Sequence, residues 1–513
     1  MPPLRFLDLA TIVVYLAVVA GAGLWAARKN DSTDSYFLGK KGFSGIVIAL
    51  SMVGTSLSSI TFLALPAAAF ALDWRLLVSN WAMPLGAVLA MFVFIPFYRR
   101  ARVVTAYEFL EARFGKWARL YAACSFILFQ WIRVGSVLFL VSVPVALLLG
   151  VPTPWVIVFG GLALMAYTVS GGFDAVVWTD VIQILVLIAG GVLAFAYLAL
   201  RMPGGLGEGL TLAWESDKFY LGSWDFNLSE RTAPTLLILG FLGWTGSYAT
   251  DQTVVQRVVA ARSDHEARKA IWLAVLLSLP VWTFFYLIGT GVWAFYQLSP
   301  DPAVAGMNAD QVFPHFILSQ LPQGVSGLIV AAILAAAMSS LDSSINSVST
   351  TFVNDVYRRH LVEGRADTHY LKVAKLASLV SGGFMIAGGL IIWGMERESI
   401  LDLTKQIASI FGGCTFGLFM LGFFTRRVSE RGILWALPPA ILVNVYLGLN
   451  AAGQLPAWAS TTLHNYWINL TVNLVFAVFA FGLVFVGLRE RRPLRGLTVW
   501  TTPRGTTSNE EPA

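Results

Sequence analysis

The stretch from residue 43 to residue 72 reads FSGIVIALSMVGTSLSSITFLALPAAAFAL. It contains no charged residue, and it exceeds the roughly 20 residues that a helix needs to cross about 30 Å of hydrocarbon. Its centre, Gly54-Thr55-Ser56-Leu57-Ser58-Ser59, is rich in glycine and hydroxyl groups. Backbone at that depth unwinds only where it lines a cavity or is buried in protein. The stretch therefore predicts a transmembrane helix that is broken near its middle.

Apolar runs recur along the whole chain. Of its 513 residues, 57% are hydrophobic and 12% are charged, which is too little charge to cover a soluble domain of this length. We predict an all-α membrane protein with about thirteen transmembrane helices. The predicted spans are 6–28, 43–72, 76–98, 119–149, 153–170, 174–200, 234–252, 270–297, 325–353, 371–394, 400–423, 432–452 and 464–488.

The distribution of Lys and Arg predicts the orientation. With the N-terminus outside, 27 of the 35 Lys and Arg residues fall on the inside, six fall outside, and Arg133 and Lys405 fall within spans. Such an excess is typical of cytoplasmic loops. We predict that the N-terminus lies outside and the C-terminus in the cytoplasm. The short loops and termini are typical of a bacterial inner-membrane protein, and nothing indicates binding to nucleic acid.

A second segment rich in glycine and hydroxyl groups, Gly240 to Tyr248, lies in the seventh span. It is five spans after the span that contains the first such segment, Gly54 to Ser59. This spacing predicts two inverted five-helix repeats, a 5+5 core with two broken helices. The alternative is that glycine and serine only let helices pack closely. The predicted units are an extra helix and loop at 1–42, a first repeat at 43–200, an external loop at 201–233, a second repeat at 234–425, two further helices at 426–490, and a disordered cytoplasmic tail at 491–513.

The ninth span carries a run of hydroxyl groups with one acid. Five side chains recur at steps of three or four and share one helical face: Ser339, Asp342, Ser343, Asn346 and Ser347. Such oxygens suit a hard cation such as Na⁺. The alternative is a helix interface held by serine hydrogen bonds. A second acid, Asp180 in the sixth span, needs a partner, a proton or a cation.

Together these segments resemble the sodium/solute symporter family, which includes the sodium/glucose, sodium/iodide, sodium/proline and bacterial sialic acid transporters. The likeness is spread over about 50–430. It is carried by Gly171-Gly172, Trp178-Thr179-Asp180, Gln183, Asp251-Gln252, Val255-Gln256-Arg257, Ser339-Ser340, Asn346-Ser347, Ser349-Thr350 and the run from Gly417 to Phe424.

The resemblance implies a sodium site between the first broken helix and the ninth span. Its ligands would be the carbonyls of Gly54, Leu57 and Ala336 and the hydroxyls of Ser339 and Ser340. A second cation site, present in some members, would use Asp180, Asp342 and Ser343. Asp342 departs from the hydroxyl residue found in such members. It is open whether this carboxylate binds sodium, carries a proton or pairs with Arg133.

The resemblance also implies where the solute binds. Ser56, Ser58 and Thr61 would face it from the broken helix, and Asn80 and Trp244 would form its wall. Arg133, inside a span, resembles the arginine that meets the carboxylate in sialic acid transporters. A planar guanidinium suits a carboxylate. The alternative is that Arg133 pairs with an internal acid such as Asp180.

We therefore expect a sodium-coupled symporter that imports a small carboxylated solute, such as a sialic acid or another sugar acid, by alternating access. A neutral-sugar symporter and a proton-coupled carrier of the same fold are the alternatives. An enzyme is not expected, because the five His residues form no metal-binding motif. Sodium is the expected transported ion, the lipid bilayer the expected surroundings, and no obligatory protein partner is indicated.

Overall fold

A computed structural model describes residues 6–27, 32–39, 42–101, 103–227, 229–395, 413–494 and 496–501. Within these ranges the helices are α1 (Phe6–Ala27), α2 (Thr33–Leu38), α3 (Gly45–Ser56), α4 (Ile60–Ala71), α5 (Arg75–Ala101), α6 (Glu108–Phe114), α7 (Lys116–Leu149), α8 (Thr153–Arg201), α9 (Leu206–Glu215), α10 (Ala233–Thr250), α11 (Gln252–Ala260), α12 (Asp264–Leu298), α13 (Ala309–Gln320), α14 (Val325–Leu361), α15 (Asp367–Trp393), α16 (Thr415–Phe424), α17 (Glu430–Ala451) and α18 (Asn465–Phe485). Single 3₁₀ turns lie at Val304–Gly306 and Ala457–Ala459.

Most predicted spans have a helix long and apolar enough to cross a membrane. Among the described residues nine helices meet this condition, and the bent pair α3 and α4 makes a tenth. Helices also occupy the predicted spans 153–170 and 234–252 and the end of 400–423. The start of that last span lies outside the described residues, so the count of thirteen stays a prediction.

The first predicted break is confirmed. Helix α3 ends at Ser56, Leu57 leaves the helical conformation with φ −90° and ψ 90°, and α4 follows at a bend of 59°. The hydroxyl of Ser58 accepts a hydrogen bond from the amide of Ile60 at 3.2 Å and so satisfies a free donor at the start of α4. The hydroxyl-rich sequence therefore supplies both the break and its local cap.

The second predicted break is real, but its predicted position is wrong. The segment from Gly240 to Tyr248 lies within the continuous helix α10, and the chain leaves the helix at Asp251, where ψ is 113°. A Cβ at Gly240 would overlap the carbonyl oxygen of Ser79, so this glycine serves close helix packing. The Asp251 carboxylate accepts hydrogen bonds from the Thr253 amide at 2.8 Å and hydroxyl at 2.7 Å, which caps α11.

Helix α14 is the most enclosed of the nine long apolar helices in the described part of the chain. Of the apolar stretch that makes it long enough to span a membrane, 83% is buried inside the protein, against 28% for α1 and α18. It packs against α1, α3, α7, α8 and α15. Helix α8 covers two predicted spans and consists of two arms that meet at Gly172. Gly172 has φ 60° and ψ −172°, a conformation that residues with a side chain rarely adopt. The polar run of α14 is thus held at the centre of the bundle.

The connections contain more structure than the sequence predicts. The loop at 201–233 includes α9, and the loop after α12 includes α13. The prediction of disorder from residue 491 is wrong for residues 496–501. There the amide of Val499 donates to the carbonyl of Phe423 at 3.0 Å, and the indole of Trp500 donates to that of Phe424 at 2.8 Å. These donors satisfy carbonyls at the end of α16. The tail from 502 onward lies outside the described residues.

Candidate ion and solute site

Asp180 is fully buried in the second arm of α8 and is surrounded by donors. Its carboxylate accepts hydrogen bonds from Ser51 at 2.5 Å, from Ser339 at 2.6 Å and from the guanidinium of Arg257 at 2.8 Å. A carboxylate so far from water needs such partners. The pairing with Arg257 replaces the alternative pairing of Asp180 with Arg133.

The predicted sodium ligands of α3 and α14 are brought together at the first break. A Cβ at Gly54 would lie 3.0 Å from the Ser339 hydroxyl oxygen, so the two helices touch here. Ser340 donates to the carbonyl of Thr55 at 3.0 Å. Leu57 and Ala336 are buried, Leu57 at the end of α3 and Ala336 one turn before Ser340 on α14.

The residues of the second predicted cation site separate into two groups. Ser343 shares a hydrogen bond of 2.9 Å with the Thr55 hydroxyl and accepts one of 2.5 Å from Arg257, which also holds Asp180. The carboxylate of Asp342 accepts a hydrogen bond from Thr168 in the first arm of α8 at 2.5 Å. Asp180 and Ser343 thus surround one guanidinium, while Asp342 faces a different part of α8.

The ninth span does not present its hydroxyl groups as one ion-binding face. Beyond Ser343, Ser347 donates to the amide oxygen of Gln256 at 3.0 Å, and the amide nitrogen of Gln256 donates to Asn346 at 2.9 Å. Ser349 donates to the carbonyl of Ala374 at 2.7 Å. Ser339 and Ser343 thus bond to Asp180 and Arg257. Asn346, Ser347 and Ser349 instead bond to neighbouring helices, as in the alternative interpretation of a helix interface.

A cavity of about 570 Å³ lies beside the first break. Three predicted solute-contacting residues line it: Ser56, Arg133 and Trp244. The guanidinium of Arg133 lies 3.4 Å from the Thr55 carbonyl oxygen, to which it donates. Trp244 packs against Trp282 with ring centroids 5.2 Å apart. The cavity thus combines a cation with an aromatic wall and hydroxyl groups.

The other three predicted solute contacts do not line this cavity within the described part of the chain. Ser58 uses its hydroxyl as the cap of α4, and Thr61 is buried within α4. The cavity is lined by Ser79, the neighbour of Asn80, and not by Asn80 itself. Ser58 and Thr61 follow the bend at Leu57, beyond which α4 runs at 59° to α3.

Three residues of the site were not predicted: Ser51, Thr55 as a side-chain partner, and above all Arg257. Arg257 is assigned by the sequence to an inside loop, yet it is 1% exposed and donates from Nε to Ser51 at 2.8 Å. It also lines the cavity, with Asp251. The one available signal was its place in the family-like run Val255-Gln256-Arg257.

The C-terminal end of α4, the second half of the broken helix, is closed by a buried lysine. Lys218 is buried and donates to the carbonyls of Phe70 at 2.7 Å and Leu72 at 2.5 Å, and it lies 5.0 Å from the centre of the Trp293 ring. Burial lowers the pKa of Lys218 to about 8. An ammonium group at a helix C-terminus is favourable for both hydrogen bonding and the helix dipole.

The model of the sodium:solute symporter family matches residues 36–438 of this chain. The chain belongs to the sodium:solute symporter family. It is therefore a multi-pass membrane transporter and not an enzyme, as predicted, and sodium is its coupling ion.

Two sialic acid transporters are among the relatives of this symporter. The sodium/sialic acid symporter SiaT of Proteus mirabilis is 34% identical over 425 residues, which are 83% of this chain and 86% of the relative. The sodium/sialic acid symporter NanT of Aliivibrio fischeri is 30% identical over 86% of this chain and 87% of its own length. The sodium/glucose cotransporter of Vibrio parahaemolyticus is 26% identical over 86% of this chain and 85% of its own length.

A solved structure supports the fold of the whole symporter. The substrate-bound outward-open state of a Na⁺-coupled sialic acid symporter, described as having a novel Na⁺ site, matches 94% of this chain and 98% of its own with a TM-score of 0.84 at 31% identity. The nucleobase-cation symporter Mhp1 in a closed conformation shares the fold at a TM-score of 0.56 and 14% identity. The predicted fold class of an all-helical symporter is confirmed.

Proposed function

We propose that this symporter imports a carboxylated sugar acid of the sialic acid class together with sodium, by alternating access. The observation that carries the proposal is the position of Arg133 in the cavity, where its guanidinium contacts the Thr55 carbonyl at 3.4 Å. A single carbonyl contact leaves donors of the guanidinium for a bidentate carboxylate. Ser56 and Trp244 are the proposed hydroxyl and aromatic contacts of the sugar. The sialic acid relatives support the choice of solute.

The proposed sodium site uses the carbonyls of Gly54, Leu57 and Ala336 and the hydroxyls of Ser339 and Ser340. The contact of Ser340 with Thr55 and the closeness of Ser339 to Gly54 support this assignment. Oxygen ligands from both the broken helix and α14 mean that sodium joins the two elements. Sodium would then order the break beside which the solute binds, which is a physical basis for coupling.

The proposed second cation site is centred on Asp180 and Ser343. Both are buried, and both offer oxygen atoms to the same central position. Asp342 lies one turn from Ser339 on α14, and we propose that its negative charge favours a cation in this part of the bundle. Asp342→Asn then weakens sodium cooperativity less than Asp180→Asn, since only Asp180 supplies a direct ligand.

We further propose that the protein lies in a bacterial inner membrane with its N-terminus outside and its C-terminus in the cytoplasm. The excess of Lys and Arg in alternate loops supports this orientation. Cys124 and Cys414 are first replaced by Ser and Ala. A cysteine at Gly306 should then react with an impermeant reagent in intact cells, whereas one at the exposed Ala366 should react only after permeabilisation. The opposite labelling pattern would reverse the assignment.

The central test is uptake into proteoliposomes that contain the full-length protein. Labelled sialic acid, glucose, proline and pyruvate are compared with an inward sodium gradient, with choline in place of sodium, and with a proton gradient. We expect uptake of sialic acid in sodium only. Sodium-driven glucose uptake without sialic acid uptake would support a neutral-sugar symporter, and equal uptake in choline with a proton gradient would support a proton-coupled carrier.

A further inference from the structure

The guanidinium of Arg257 lies at the centre of a cluster formed by Ser51, Asp180 and Ser343. We propose that it is a tethered cation, a positive charge fixed to the chain that occupies the second cation site and exchanges with the second sodium. When sodium binds at Asp180 and Ser343, the Arg257 side chain moves into the adjoining cavity and joins Arg133 at the carboxylate of the solute. The inference deepens the proposed function, because it rests on sodium-coupled uptake of a carboxylated solute.

The first step of the argument concerns the oxygens that Arg257 now holds. Its Nη2 donates to Asp180 at 2.8 Å and to Ser343 at 2.5 Å, and its Nε donates to Ser51 at 2.8 Å. These are one carboxylate and two hydroxyl oxygens, which is the ligand chemistry of sodium, and a fourth oxygen, the carbonyl of Thr253, accepts from Nη1 at 2.8 Å. Two positive charges about 4 Å apart in a buried site repel strongly. The guanidinium and a sodium ion therefore exclude each other from these oxygens.

The second step concerns charge. Asp180 and Arg257 are 0% and 1% exposed, and they neutralise each other. If sodium takes over Asp180, the guanidinium is left as a buried unpaired cation, which is strongly disfavoured. Arg257 already lines the cavity, so a rotation of its long side chain is sufficient to bring the guanidinium into the cavity. Asp251, which also lines the cavity, uses only its Oδ1 oxygen to cap α11, and an incoming carboxylate solute brings a further negative charge to the cavity.

The third step concerns Thr55, which connects the cluster with the solute cavity. Its hydroxyl is bonded to Ser343 at 2.9 Å, and its carbonyl accepts from Ser340 at 3.0 Å and from Arg133 at 3.4 Å. Loss of the Arg257 contact to Ser343 therefore changes the surroundings of a residue that touches Arg133. Binding of the second sodium and binding of the carboxylate become coupled, and the coupling acts equally in both directions.

The first experiment measures binding of sodium alone to the purified full-length protein, from the change in tryptophan fluorescence. In Arg257→Gln the competing cation is absent, so the half-saturating sodium concentration should fall about tenfold, the effect of one charge-assisted interaction. Arg257→Lys keeps the charge and should stay close to the unmutated protein. The control Arg262→Gln removes an exposed arginine that pairs with Glu266 and should change nothing. Unchanged or weaker sodium binding in folded Arg257→Gln overturns the proposal.

The second experiment measures binding of sialic acid and of its methyl ester at saturating sodium. In Arg257→Gln the affinity for sialic acid should fall about tenfold, because one of two guanidinium groups is lost, while that for the ester should not change. An equal loss for both ligands overturns the role of Arg257 at the carboxylate. If the unmutated protein binds no sialic acid, the proposed function fails, but the sodium measurement still decides whether Arg257 is a tethered cation.

Asp180→Asn provides the test if Arg257→Gln does not fold. The variant releases the guanidinium and removes the charge that holds the second sodium. The Hill coefficient for sodium should fall to one, while the affinity for sialic acid at low sodium should be equal to or higher than that of the unmutated protein. A merely structural ion pair predicts the opposite, with loss of sialic acid affinity at every sodium concentration.

Discussion

The two helix breaks satisfy their free backbone groups in different ways. At the first break, the carbonyl of Thr55 accepts from two side chains of other helices, Ser340 and Arg133. At the second break, the side chain of Asp251 caps the next helix with hydrogen bonds to Thr253, while the carbonyls of Ala249 and Thr250 accept from the hydroxyls of Tyr98 and Tyr107. Both breaks thus combine a local cap with distant partners, but only at the first break do those partners belong to the proposed ion and solute sites.

This difference indicates which break can respond to ligands. A carbonyl that is held by side chains of the proposed ion and solute sites changes its surroundings when those sites fill. The carbonyls at the second break are held by Tyr98 and Tyr107, which are neither proposed sodium ligands nor proposed solute contacts. We therefore expect substitutions around the first break to alter sodium and solute binding, and substitutions at the second break to alter mainly stability.

The largest effect is expected for Arg133→Gln. Loss of the guanidinium leaves the carboxylate of the solute without its main partner in the cavity, which should reduce sialic acid uptake about a hundredfold. Uptake is measured in proteoliposomes at saturating sodium, and binding of sodium alone serves as the control for an intact ion site. Uptake within a factor of about three of the unmutated protein would remove Arg133 from the solute site.

A smaller effect is expected for Ser339→Ala and Ser340→Ala. Each removes one proposed sodium ligand at the first break, so the sodium concentration for half-maximal uptake should rise about tenfold. Solute affinity at saturating sodium should change much less. The matched control is Ser349→Ala on the same helix, whose hydroxyl donates to the carbonyl of Ala374. If the control shifts the sodium dependence equally, the effect is one of helix packing.

At the second break, Asp251→Ala should cost about 1 kcal/mol of stability, the usual value for a lost helix cap. Asp251→Asn keeps an acceptor for the Thr253 amide and should cost less. Both are compared by thermal unfolding in detergent, with the sodium dependence of uptake measured alongside. A change in sodium dependence as large as that of Ser340→Ala would show that the second break also responds to the ion.

The smallest effect concerns Lys218, which holds the C-terminal end of α4 in the first broken helix. Its pKa of about 8 lies below the ordinary value of about 10.5, so between these values the unfolded chain binds more protons than the folded protein. The stability of the unmutated protein relative to Lys218→Met should therefore rise with pH, by about 1 kcal/mol from pH 8 to 9.5. The comparison uses unfolding midpoints across that range. A difference independent of pH would contradict the lowered pKa.

Most of the fold was predictable because the length of the hydrophobic spans is a strong signal. The break at Leu57 was predictable from its hydroxyl-rich surroundings. The break at Asp251 was not, because glycines such as Gly240 that permit close packing look the same in sequence as glycines that permit unwinding. Capping by Asp251 was the physical signal, and it depends on two residues only.

The contact between α3 and α14 was predictable where the resemblance named residues on facing helices, as for Gly54, Ser339 and Ser340. The site was not predictable where the partner came from a distant helix. Arg257 is a charged residue between two predicted spans, a position typical of a loop. It meets Asp180 only through the packing of α11 against α3 and α14. Likewise, the helical spacing of Asp342 relates it to Ser343, but only the packing of α8 shows that Asp342 bonds to Thr168.

Residues 496–501 cover the C-terminal end of α16, and this decides where a reporter can be attached. A fluorescent protein inserted before Gly496 would pull Val499 and Trp500 away from the carbonyls of Phe423 and Phe424, which they now satisfy. A fusion placed after residue 513 leaves both hydrogen bonds in place. Purification tags and imaging labels on this transporter therefore belong beyond the last residue, with the segment up to Thr501 kept intact.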